Sequence, residues 1–254
     1  MIADQLKKAV LQAAIQGKLT EQLPGDGDAR ELLSEIFAEK ERMVKEGKLK
    51  KEKPLPPITG YEIPFDIPEN WCWVRLGSII SVLGDGIHGT PNYSQKGEYK
   101  FINGNNLVDG KIEIKDTTKS VDEGEFVKYK KPLSDKTVLV SINGTLGNVA
   151  FYNNEKVILG KSACYFNLLS CISKTYVKYV INSEYFIRYA NNKATGTTIK
   201  NVSLQAMRNL PFPLPPYASQ QKIVDKLNII LPLFLDVKTV EDKLKESQNR
   251  LNSL

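Results

Sequence analysis

Leu210-Pro-Phe-Pro-Leu-Pro-Pro216 runs into Tyr217-Ala-Ser-Gln-Gln-Lys-Ile-Val224, and these two phrases decide the architecture of the chain. The proline run, 211–216, predicts an extended connector, because proline lacks the N–H a helix needs. The second phrase opens a long apolar series at Ile223, Leu227, Ile230, Phe234, Val237, Val240, Leu244, Leu251 and Leu254. Steps alternating between three and four describe a coiled-coil seam. The pattern alone also suits an amphipathic helix packed on its own domain. Pro232 lies inside the series and predicts a kink or a local break in backbone bonding. Two successive steps of three, Phe234 to Val237 to Val240, predict a change of supercoil pitch there.

Upstream of the connector, residues 71–209 predict a mixed α/β (α+β) domain, which the connector extends to 216. Trp73–Leu76, Ser78–Leu83, Thr137–Ile142, Val149–Tyr152 and Ala163–Leu168 read as strands between Gly and Asn turns. Ser173–Ala190 reads as one helix. Farther back, Pro54, Pro56, Pro57, Pro64 and Pro68 follow the basic run Lys48-Leu-Lys-Lys-Glu-Lys53, so residues 48–70 predict a second extended connector. Residues 1–47 hold an N-terminal helical segment: one helix over 2–16 stopped by Gly17, and a second opened by Asp28 and ended near Gly47. Residues 217–254 form the long helix.

Composition narrows the function classes. The 254 residues are 41% hydrophobic and carry a net charge of +6, which suits a core-forming protein with an anionic partner. Cys72, Cys164 and Cys171 are too scattered for a disulfide framework or a CxxC zinc site. Residues 1–19 lack the apolar run of a signal peptide, and no stretch approaches the roughly 20 apolar residues of a membrane span. A cytoplasmic location is expected.

No catalytic constellation stands out. His88 is the one histidine, and neither a GxGxxG nor a Walker loop occurs. Two nuclease-like spacings exist, Asp85 with Glu98-Tyr-Lys100 and Asp109 with Glu113-Ile-Lys115. Four loops carry donors and acceptors suited to bases or phosphates. Gly84–Pro91 offers Asp85, His88 and Thr90, with Tyr93 beyond it. Phe101–Asn106 offers Asn105. Ser141–Gly147 offers Asn143, although Asn-Gly in both of these loops is also a common turn. Ala194–Asn201 offers Thr197, Thr198 and Lys200, a hydroxyl-rich phrase that could instead serve only as cap chemistry.

Several phrases then converge. They are Leu6–Leu19, Ala29–Leu33, Glu39–Arg42, Lys45–Lys53, Ile63–Gly77, and Gly196–Leu204 leading to Pro213–Pro216 and Gln220-Gln221. Through them the chain resembles one repeat unit of the specificity subunit of type I restriction-modification enzymes. One phrase departs: the family's Leu-Ala-Glu-Gln-Gln is here Tyr217-Ala-Ser-Gln-Gln221, with Ser219 expected to cap the helix.

The resemblance implies a target-recognition domain between conserved helices that pair as a coiled coil. It implies binding to double-stranded DNA, and docking of modification (methyltransferase) and restriction subunits. It implies no catalysis and no cofactor in this chain; S-adenosylmethionine, ATP and Mg would belong to the partners. Members of the family usually carry two recognition domains, and this chain has one. It is expected either to homodimerise through Ile223, Leu227, Ile230, Phe234, Val237, Leu244 and Leu251 of the long helix, reading a symmetric site, or to be part of a longer subunit. The rival expectations are a metal-dependent nuclease using Glu98 and Lys100, and a coiled-coil scaffold that does not read DNA.

Overall fold

The computed structural model describes residues 2–196 and 198–251, the last two by backbone alone. Thr197 and Leu254 therefore lie outside the described residues, as does the side chain of Leu251. Helix α1 (Ile2–Ile15) is followed by Gly17 at φ 71°, where a Cβ would lie 2.4 Å from the Pro68 ring, so only glycine makes this turn. Asp28 caps α2 (Ala29–Lys45) by accepting the Arg30 N–H at 2.7 Å.

Among the described residues three small sheets accompany a four-stranded central one. The strands are β1 (Cys72–Arg75), β2 (Ile80–Asp85), β3 (Tyr99–Ile102), β4 (Leu107–Val108), β5 (Lys111–Ile112) and β6 (Ser120–Val121). After the short α3 (Glu123–Tyr129) come β7 (Thr137–Ser141), β8 (Val149–Phe151), β9 (Val157–Leu159) and β10 (Ala163–Leu168). The central sheet, β2-β10-β7-β8, is antiparallel throughout. Beside it β3 pairs with β6 antiparallel and with β9 parallel, and β4 pairs with β5.

The helix expected over 173–190 is two helices, α4 (Lys174–Asn182) and α5 (Glu184–Lys193). Buried Ser183 divides them. Its hydroxyl donates to the Val180 carbonyl at 2.6 Å and accepts the Phe186 N–H at 3.3 Å, ending one helix and capping the next.

The proline connector is also corrected. After α6 (Leu204–Arg208), residues Pro211–Leu214 form strand β11, paired antiparallel with β1 and wholly buried. Pro211 and Pro213 donate no backbone bonds, and their carbonyls accept the hydroxyls of Tyr185 and Tyr176. Tyrosine side chains thus satisfy backbone groups that a two-stranded ribbon would otherwise bury unpaired.

Helix α7 (Tyr217–Leu251) runs on through Pro232, whose missing N–H deprives the Asn228 carbonyl of its usual donor. Ser219 does not cap it. The helix begins two residues earlier, and the buried Ser219 hydroxyl lies 3.4 Å from Asp26 Oδ2. One core joins Leu11 and Ile15 of α1, Ile36 of α2, Phe166 of the sheet, Tyr176 and Phe186, Phe212, and Ile223 and Leu227 of α7. Farther along, Glu241 accepts the Ile2 N–H at 2.7 Å, tying the start of α1 to the distal half of α7.

Candidate nucleic-acid interface

The register of the central sheet places three loop roots side by side. On β10, Cys164 faces Asp85 at the end of β2, and Ala163 faces Ser141 at the end of β7. At about 4.8 Å per strand, the β2 and β7 roots stand roughly 10 Å apart, comparable to a DNA groove. The loops after β2, before β10 and after β7 therefore leave the same end of the sheet.

The loop after β2 is held close to the β9–β10 turn. Ile87 N–H donates to the Leu159 carbonyl at 2.8 Å, and Gly86 N–H to Ala163 at 3.2 Å. A Cβ on Gly86 would lie 2.2 Å from the Leu159 oxygen, so this approach requires glycine. Beyond it His88 is exposed and bonded to Asp85, Nε2 to Oδ2, at 2.7 Å. Thr90 is exposed as well. Tyr93 turns toward β3, its ring centroid 6.0 Å from that of Phe101, with part of its face open to solvent.

The turn Gly104–Asn106 is tied to the same end. Gly104 N–H donates to Ser162 Oγ at 2.9 Å, the Ser162 hydroxyl donates to Asn103 Oδ1 at 3.0 Å, and Asn148 Nδ2 donates to the Gly104 carbonyl at 3.2 Å. Asn105 sits exposed on this turn, where its carbonyl accepts the Lys115 ammonium at 2.9 Å.

After β7, the segment 195–201 is bound to the β7–β8 turn. Thr195 and Asn201 exchange backbone bonds at 2.9 Å, Gly144 N–H donates to the Lys200 carbonyl at 3.0 Å, and Asn143 Nδ2 donates to Asn201 Oδ1 at 3.1 Å. Asn143 thus has one amide hydrogen committed inside the protein, which disfavours it as a two-pronged base reader. Thr198 is exposed, and the exposed Lys200 donates to Asn191 on α5.

The fold adds one residue the sequence did not single out. Lys161 is exposed in the β9–β10 turn, between Gly160, which bridges to Ile87, and Ser162, which holds Gly104. Its signal was present as Gly-Lys-Ser between two apolar runs.

The nuclease sets do not assemble. Exposed Glu98 pairs with Lys156 at 2.7 Å, which holds its carboxyl below the usual range, while Lys100 donates to Ser120 Oγ and Asp85 faces His88. Asp109 pairs with Lys178, and Lys115 turns to Asn105. Among the described residues no group of three His, Cys, Asp or Glu side chains is placed to hold a metal.

The seam on α7 divides. Ile223 and Leu227 are 0% exposed within the chain's own core, so they are not available to a partner helix. Ile230 and Phe234 are half-buried. The open stripe is Ile229, Leu233, Val237, Val240 and Leu244, with steps of four, four, three and four. Val237, Val240 and Leu244 belong to the seam the sequence suggested; Ile229 and Leu233 stand one residue before Ile230 and Phe234, because α1 and α4 cover the face that carries Ile223 and Leu227.

Residues 68–239 match a family model described as the type I restriction modification DNA specificity domain. Over 98% of its length the chain is 29% identical to the type I restriction enzyme EcoAI specificity subunit of Escherichia coli, and 28% identical to the EcoEI specificity subunit of the same organism. It spans 43% of each of these relatives. The crystal structure of the HsdS subunit from Thermoanaerobacter tengcongensis shares the fold, with a TM-score of 0.53 and 17% identity over 98% of this chain and 53% of that one. Among the described residues no helix is long and apolar enough to cross a membrane.

Proposed function

The chain belongs to the type I restriction modification DNA specificity family, and we propose that it reads one half of a bipartite site in double-stranded DNA. The observation that carries this is the convergence of four polar loops on one end of the central sheet. The Asp85–His88 loop, the Asn105 turn, the Lys161 turn and the Thr195–Asn201 segment meet there through their backbone and side-chain bonds. Lys161 and Lys200 contact phosphates, and His88, Thr90 and Asn105 face base edges.

The chain performs no chemistry of its own. Modification subunits supply adenine methylation with S-adenosylmethionine, restriction subunits supply ATP- and Mg-dependent cutting, and both dock on the helical parts, in the cytoplasm. Two copies pair through the open stripe of α7. From Ile229 to Leu251 that helix spans roughly 34 Å at about 1.5 Å per residue. This matches one turn of DNA, so two identical readers can sit on half-sites about 34–36 Å apart.

Fluorescence anisotropy on duplexes across a salt series tests the reading. The expected result is binding whose log K falls linearly with log salt. Absence of salt-sensitive binding would overturn it in favour of a scaffold.

A further inference from the structure

We propose that Ile199 is a wedge that enters the duplex between two base pairs at the edge of the half-site and partly unstacks them. The inference rests on the DNA-reading function proposed above. Ile199 is 60% exposed at the tip of the segment closed by the reciprocal Thr195–Asn201 bonds. Covering an exposed branched apolar side chain is favourable. Among the described residues nothing covers Ile199, and the segment's construction keeps it outward. Asn143 fastens one side of the segment through Asn201, and Gly144 fastens it through the Lys200 carbonyl. Ile199 stands between exposed Thr198 and Lys200, whose hydroxyl and cation suit the phosphates on either side of an opened step.

Prying a base step open requires a support that does not yield. Here it is supplied by backbone bonds to the turn after β7, the strand whose end also roots the reading face. Apolar wedges of this kind kink the duplex and bring more of it against the protein.

The test uses the full chain and a duplex that it enriches from a random-sequence pool, with 2-aminopurine placed at successive positions. The wild-type protein is expected to raise the fluorescence severalfold at one step. Ile199→Ser should lose that rise and Ile199→Leu should keep it. Lys200→Ala should weaken binding and leave the rise at saturation unchanged. If the wild-type protein binds and no position brightens, or if Ile199→Ser brightens the same step, the wedge is wrong and DNA reading stands. If the pool yields no bound duplex, the DNA-reading function itself fails, and the wedge with it.

Discussion

Arg75 and Glu62 meet fork to fork, NH1 to Oε1 at 2.7 Å and NH2 to Oε2 at 2.9 Å. The same guanidinium donates to the carbonyls of Pro56, Pro57 and Asn209, which uses all its donor directions. Arg75 is buried on β1, so the proline-rich connector is fastened to the core rather than hanging as a loose tether. Arg75→Met should cost about 3 kcal/mol, since it strands a carboxylate and three carbonyls. Thermal unfolding would register this as a fall in Tm of roughly 6–12 °C.

The pair also predicts an acid limb. Bonding to Arg75 holds the Glu62 carboxyl down at about 2, from an ordinary 4.5. The stabilisation is full above about 4.5 and is lost as pH falls toward 2. Glu62→Gln should therefore flatten the stability profile between those values and lower the plateau at neutral pH. An unchanged acid limb in urea titrations would remove Glu62 as its source.

The two halves of α7 should respond oppositely to truncation. Leu227→Ala opens a cavity in the chain's own core and should cost about 2–5 kcal/mol. Leu244→Glu lies on the open stripe and should leave Tm within a degree or two while converting the proposed dimer to monomer in sedimentation velocity.

Phosphate and base contacts should separate on DNA. Lys161→Ala should weaken every duplex about equally and reduce the salt slope by about one. His88→Ala should cost about 1–3 kcal/mol on the preferred sequence and little on others. Competition binding with preferred and scrambled duplexes distinguishes the two patterns.

Gly86→Ala should displace the His88 loop without unfolding the protein. The added Cβ meets the Leu159 carbonyl oxygen, a backbone atom that cannot swing aside. A cost of about 1–3 kcal/mol is expected, with loss of sequence discrimination and retention of salt-dependent binding.

Much of this was legible in the sequence. Periodicity located α1 and α2, and β10 occupies the predicted residues, Ala163–Leu168. The loops chosen for their polar chemistry lie at one end of the sheet, where the Lys161 turn, which was not chosen, joins them. What escaped depended on tertiary partners. Pro211–Leu214 became a strand because Tyr176 and Tyr185 satisfy its carbonyls, and those partners lie 37 and 26 residues away in sequence. The helix break at Ser183 came from a hydroxyl competing for local backbone groups. The apolar stripe of α7 showed that the helix buries a face, but not that the face is shared between its own core and open solvent. Asn143 was open to both a base-reading and a turn role, and its bond to Asn201 was hidden because the two are distant in sequence.

The most direct test of the account is methylation mapping by long-read sequencing of DNA from a methylation-free host. The host would express this chain with its cognate modification subunit. The account predicts a two-part, palindromic motif methylated at adenine, as two identical readers require. An asymmetric motif would contradict the homodimer. Unmethylated DNA from cells in which the complex is shown to assemble would contradict DNA recognition by this chain.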